Sequence, residues 1–313
     1  LKRIVFGVHT NRGVPDENYT NNPFSRLSLR QMREQLGIID RESPNQCVVE
    51  EIQCLDYFET HRHRDRSNWY APSIHNMCPI PPTQLKKLVI AGNTVLNVSF
   101  PADLTWLSNI RSLEVAELTR GVSMSELLKQ CHNLRELRLP VCLRNISVVK
   151  TIFRDCKTLE AVSIIIDQSI GEQIVNIILK GKPTSLKRLK LTSTYYQMNT
   201  ITADDGIKEP MLNLEELLVF GRMPKHFSSL LQHCPKLKTL HCSTPKPLDN
   251  TVFDWLPQLR HLTLALPIDT FPPALQNLRS YRILDSYHCD SSASDLVEMM
   301  KALISCPNIE SVY

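Results

Sequence analysis

At 313 residues the chain exceeds the size at which one compact core usually stops growing, about 250–300 residues. A solenoid escapes that limit, because each repeat buries its apolar face only on its neighbours. A hydrophobic content of 42% and a charged content of 22% exclude extended disorder, and a net charge of +4 does not demand a nucleic-acid partner.

Taken in chain order, one six-residue phrase returns: apolar, two variable residues, apolar, one variable residue, apolar. Early copies are Leu1 to Phe6, Phe24 to Leu29 and Val49 to Cys54. Clearer ones run Leu85 to Ile90, Ile110 to Val115, Leu134 to Leu139, Leu159 to Ile164, Leu186 to Leu191 and Leu214 to Val219. Leu237 to Cys242 and Leu259 to Leu264 follow, then the weaker Leu278 to Ile283 and Ile309 to Tyr313. About thirteen copies, spaced mostly about 22–28 residues apart, fall within the 20–29-residue period of leucine-rich repeats. In such a phrase the aliphatics of x-Leu-x-Leu point to one face of a strand and the variable residues to the other.

Helical periodicity separates several of these strands. Leu127, Leu128 and Cys131 share one face of Met124 to Gln130. Val149, Ile152, Phe153 and Cys156 share another, as do Phe227, Leu230, Leu231 and Cys234, and later Leu296, Met299, Met300, Leu303 and Ile304. Each repeat is therefore expected to be one short parallel strand, a turn and a helix. The chain thus resembles the leucine-rich-repeat superfamily. The fold expected is an α/β solenoid, a right-handed superhelix with the parallel sheet on its concave face and helices on its convex face. We expect a single domain over 1–313 with an insertion at 56–82. Because the chain starts with Leu1 inside a repeat, and exposed end repeats normally need polar caps, it is read as part of a longer protein.

Four helices end in Cys, two residues, then an aliphatic strand starter: Cys131 to Leu134, Cys156 to Leu159, Cys234 to Leu237 and Cys306 to Ile309. The ten cysteines contain no C-x-x-C pair, which suits buried thiols used as small hydrophobes and a reducing compartment, cytoplasm or nucleus. The Cys-Pro-x-Leu signature resembles the cysteine-containing repeats of F-box/leucine-rich-repeat proteins. That resemblance implies a substrate-recognition domain of a ubiquitin-ligase receptor, linked to Skp1–cullin through an F-box outside these residues. The alternative is an adaptor or inhibitor that works in the manner of ribonuclease inhibitor, without ligase association.

Candidate binding residues are those that leave the aliphatic pattern. The outward strand positions include Arg138, Arg188, Lys190, His241, His261 and Arg282, of mixed sign with the rest of the face, and such a surface suits protein recognition. Just past strands, on the ascending loops, stand Tyr195, Tyr196, Phe220 and Arg222, aromatic and basic types common at binding hot spots. The insertion carries His61, His63, His75 and Cys78, the right donor types for zinc, but their spacing matches no standard finger and neighbouring arginines repel a cation. No metal and no cofactor is expected. No apolar run approaches the roughly 20 residues that span a bilayer, so no membrane partner is expected. Nucleotide-binding and hydrolase motifs are absent, and nine glycines leave little for a phosphate cradle, so no enzyme is expected.

Overall fold

The computed structural model describes residues 3–8, 50–56, 83–91, 98–99, 104–115, 118–120, 123–181, 183–193, 213–221, 227–243, 248, 250–265, 272–284, 303 and 307–312. It divides into two compact units, Leu1–Pro140 and Val141–Tyr313.

The first unit holds β1 (Arg3–Val8), β2 (Glu51–Asp56), β3 (Lys87–Ala91), β4 (Val98–Ser99), β5 (Ser112–Val115), β6 (Leu118–Arg120) and the start of β7 (Glu136–Leu143). β1, β2, β3, β5 and β7 follow one another as parallel neighbours. A 3₁₀ helix at Thr105–Asn109 and helix α1 (Met124–Gln130) fill the intervals, and β4 pairs with β6 apart from the main ladder.

The second unit continues with α2 (Ile146–Asp155), β8 (Ala161–Ile166), α3 (Gln168–Gly181), β9 (Arg188–Ser193), β10 (Glu216–Phe220), α4 (Phe227–Gln232) and β11 (Thr239–Ser243). It ends with β12 (His261–Leu264), β13 (Ser280–Ile283) and β14 (Ser311–Val312), separated in part by 3₁₀ helices at Asn250–Trp255 and Pro273–Asn277. Strands β8 to β14 are parallel neighbours in sequence order. A parallel ladder in which each rung is the next repeat of the chain is the leucine-rich-repeat solenoid, an α/β fold.

The register explains why the aliphatics recur. Val162, Leu189, Leu217, Leu240, Leu262 and Tyr281 stand directly opposite one another and all are buried. Ile164, Leu191, Val219, Cys242 and Leu264 form a second buried row. In the first unit Leu88, Leu113 and Leu137 do the same. Each such side chain contributes roughly 1.5–3 kcal/mol by leaving water, and only neighbouring rungs can bury it.

The strand entries repeat as closely as the core. The first aliphatic of each phrase donates its amide back three residues, as in Leu134 to Cys131, Leu159 to Cys156, Leu237 to Cys234, Leu259 to Leu256 and Leu278 to Leu275. The next two amides share one carbonyl of the preceding repeat: Lys86 and Lys87 on Glu50, Glu215 and Glu216 on Lys187, Arg260 and His261 on Lys238. Cysteine therefore occupies the turn position that Leu256 and Leu275 hold elsewhere. Cys131 and Cys234 are buried there, and their Sγ atoms donate to the carbonyls of Leu127 and Leu230 at 3.3 and 3.2 Å. Burial pushes the Cys234 thiol up to about 12, and burial together with the nearby Asp155 carboxylate does the same at Cys156. These are packing residues.

A second ladder lies one residue before the first aliphatic. The side-chain amides of Asn109, Asn133, Asn277 and Asn308 donate to the carbonyls of Thr83, Ser108, Pro257 and Gln276 in the preceding repeats, at 2.7, 2.8, 3.2 and 2.9 Å. Asn213 does the same to Thr184, and Ser185 substitutes its hydroxyl, which donates to Lys157 at 2.6 Å and Leu159 at 2.7 Å.

β1 pairs directly with β2, and the copy at Phe24 to Leu29 lies outside the described residues. One sequence expectation needs correction. Not every repeat shows an α-helix among its described residues. The short intervals from Leu237 to Leu259 and from Leu259 to Leu278 hold 3₁₀ helices, and Pro272–Pro273 starts the second of them. The long interval from Leu159 to Leu186 does hold the helix that the repeat calls for, α3, whose buried Ile170, Ile174, Val175 and Ile178 were not singled out by periodicity. Of the expected helix at 296–304 only Leu303 is described, helical and buried, and the insertion at 56–82 lies beyond Asp56 outside the described residues.

Candidate functional site: the open strand face of the second unit

Alternation sends every second strand residue away from the helices, and strand register sorts these residues into rows. The first row of the second unit is Ala161, Arg188, Glu216, Thr239, His261 and Ser280. Next to it stand Ser163, Lys190, Leu218, His241, Thr263 and Arg282. The third is Ile165, Thr192, Phe220 and Ser243. All of these are at least partly exposed.

Four candidates from the sequence converge here. The Lys190 ammonium lies 4.9 Å above the centre of the Phe220 ring, within the range of a cation–π attraction. The Phe220 and His241 rings stand 4.5 Å apart with their planes at 38°. His241 Nε2 is shut off from solvent with no hydrogen-bond partner among the described residues. Burial, then the charges of Arg282 and Lys190, hold the imidazole below its ordinary range, so at neutral pH His241 is an uncharged aromatic floor. Leu218 sits between Lys190 and His241 by register.

Gly221 sets the turn that follows Phe220. Its φ of +83° is open to glycine, a Cβ there would lie 2.5 Å from the Ser193 carbonyl oxygen, and its amide donates to Ser243 Oγ at 3.3 Å. The turn thus ties β10 to β11 and runs close against β9 at the end where Phe220 projects.

The remaining candidates divide as follows. Arg188 and His261 are exposed in the first row. Arg138 is exposed in the first unit, where its register neighbour is Glu114. Tyr195, Tyr196 and Arg222 lie outside the described residues. Sequence reading missed Leu218, an outward leucine concealed in the run Leu217-Leu218-Val219, and the asparagine ladder, whose signal was an Asn directly before Ile110, Leu134, Leu214, Leu278 and Ile309.

Several charges outside these rows are paired locally. At the strand-entry edge Lys187 meets Glu160 at 3.0 Å and Lys238 meets Glu215 at 2.8 Å, around a shallow groove of about 360 Å³. Lys238's hydrogen bond holds the Glu215 carboxyl below the usual carboxylate range. On the first unit Lys87 reaches Glu51 at 2.8 Å. Such exposed pairs contribute about 0–1 kcal/mol each, but they leave little net field. Among the described residues no cluster of three or more His, Cys, Asp or Glu could hold a metal, and no helix is long and apolar enough to cross a membrane.

No protein-family model and no curated protein matches the chain. Among solved structures it is similar to internalin C2 of Listeria monocytogenes, at 18% identity and a TM-score of 0.37 over 67% of this chain and 73% of that one. It is also similar to an internalin, inlF, of the same organism, at 15% identity and a TM-score of 0.41 over 85% of this chain and 80% of that one.

Proposed function

We propose that the chain is a protein-binding scaffold, not an enzyme, and that the open strand face of the second unit grips its partner. The observation that carries this reading is the row Lys190, Leu218, His241, Thr263 and Arg282, where cationic, apolar and aromatic groups stand side by side on a hydrogen-bonded ladder. Groups fixed by the core lose little freedom on binding, which favours affinity. Site-specific photo-crosslinking in cells tests it. A photoreactive residue at Thr263 is expected to capture one discrete protein, whereas one at the exposed α2 residue Lys150 is not. Crosslinks from Lys150 alone would refute it.

Within that class we read the chain as the substrate-recognition part of an F-box-type ubiquitin-ligase receptor. The Cys-x-x-Leu turns at Cys131, Cys156 and Cys234 support this, as do the free thiols of Cys131, Cys142, Cys156, Cys234 and Cys242, which also suit the cytoplasm or nucleus. Recovery of Skp1 and a cullin with the full-length protein is the expected result. A partner that is bound but never ubiquitinated selects the adaptor or inhibitor reading instead.

A further inference from the structure

We propose that the middle row of the second unit's open face binds an acidic segment of the partner protein, with an aliphatic side chain of that segment seated on Leu218. This rests on the scaffold reading and adds the partner's chemistry. The row contains Lys190 and Arg282 and no acid, and neither cation has an ion-pair partner among the described residues. The third row is uncharged, and Glu216 is the one acid of the first row, opposite Arg188. Elsewhere in the unit the edge cations Lys187 and Lys238 are already neutralised by Glu160 and Glu215. The uncompensated positive charge of the face therefore sits in one row.

The floor between the two cations is uncharged at neutral pH. Leu218 is partly exposed beside Lys190, His241 packs on Phe220, and Thr263 follows. Lys190 lies over the Phe220 ring, so part of its side-chain freedom is already given up before a carboxylate arrives. Four strand spacings separate Lys190 from Arg282, roughly 19 Å. An extended segment crossing the strands covers that in about six residues. The fit is a segment with carboxylates near both ends and an aliphatic side chain close to the first. A nucleic-acid backbone fits worse, since phosphate tracking needs a dense basic stripe and this row interposes a leucine and a neutral imidazole.

Phage-displayed random peptides panned on the full chain, followed by anisotropy titration of the selected peptides, test the proposal. Enrichment of Asp and Glu flanking a Leu, Ile or Met is expected. The double variant K190E/R282E is expected to weaken those peptides at least about tenfold, because like charges then face each other. The milder K190Q/R282Q pair keeps the test valid should the reversed chain fold poorly, with a loss of about threefold or more expected from removing the attraction alone. The control K150E should leave affinity unchanged. Neutral or basic consensus peptides, no enrichment, or acidic peptides that bind K190E/R282E as tightly as the parent overturn the proposal. So does a labelled DNA duplex that binds the parent and not K190E/R282E. The crosslink from Thr263 reports on the scaffold reading separately, so failure of one is distinguishable from failure of the other.

Discussion

Gly221→Ala is the perturbation that joins the fold to the site most directly. The residue follows Phe220, and its φ is +83°. An alanine there adopts a left-handed backbone at a cost of about 1–2 kcal/mol. Its Cβ would also lie 2.5 Å from the Ser193 carbonyl oxygen, a backbone atom of the neighbouring rung that cannot rotate away. Relieving such an overlap typically costs a further 1–3 kcal/mol or so. The sum is about 2–5 kcal/mol, read as a lower midpoint in urea unfolding at constant slope. Gly181→Ala separates the two contributions. Its Cβ would meet the Phe153 carbonyl oxygen at 2.6 Å, yet its backbone is not left-handed, so only the overlap remains and the loss is expected to be smaller. Because the turn at Gly221 places Phe220, Gly221→Ala should also shift the amide resonance of Ser243, whose hydroxyl accepts the Gly221 amide at 3.3 Å. A Gly221→Ala chain within about 0.5 kcal/mol of the parent, the usual range for neutral surface changes, would refute this reasoning.

Two further outcomes follow from the same geometry. Asn133→Ala removes the 2.8 Å donation to the Ser108 carbonyl and should cost about 1 kcal/mol in urea unfolding, whereas Asn133→Asp, which cannot donate, should lose at least as much. His241 has a folded-state pKa lowered by burial, Arg282 and Lys190, so the unfolded chain takes up the proton first. Its stability contribution is complete above the ordinary histidine value of about 6.5 and falls as pH drops below it. Unfolding curves of the parent and His241→Gln should therefore diverge below that pH. The imidazole should titrate by NMR below 6.5, and Arg282→Gln should move its midpoint upward; a midpoint at or above 6.5 in the parent would contradict the placement.

The fold could be read from the sequence because rungs tolerate little else. Leu189, Leu217, Leu240 and Leu262 are opposite one another, so the same residue type returns at the same phase. Helices α1, α2 and α4 were readable for a related reason, since Leu127, Ile152 and Leu230 all face the buried side. α3 was not singled out because Ile170, Ile174, Val175 and Ile178 are β-branched, a composition that favours strands, and it follows the β-branched strand β8. The site was half readable. Alternation alone marks Lys190, His241 and Arg282 as outward. The meeting of Lys190, Phe220 and His241 is set by the register between β9, β10 and β11, and register between strands more than twenty residues apart depends on turn lengths that no single strand reveals. Leu218 was concealed for a different reason: an outward leucine between two inward aliphatics looks like core.

The same alternation constrains what this face can do. Outward side chains of a parallel ladder leave the backbone side by side, about 4.8 Å apart from rung to rung, and run roughly parallel to one another. What parallel groups do well is meet a partner at many points at once, each rung adding a modest term. The buried rows Val162–Leu189–Leu217–Leu240–Leu262 and Ile164–Leu191–Val219–Cys242–Leu264 fix the spacing of those points. The residues between them, Lys190, Leu218, His241 and Thr263, differ at every rung without disturbing either row. Specificity on such a face is written along the ladder, one residue per repeat, and a change at one rung is expected to alter which partner is held while the core that holds the rung stays the same.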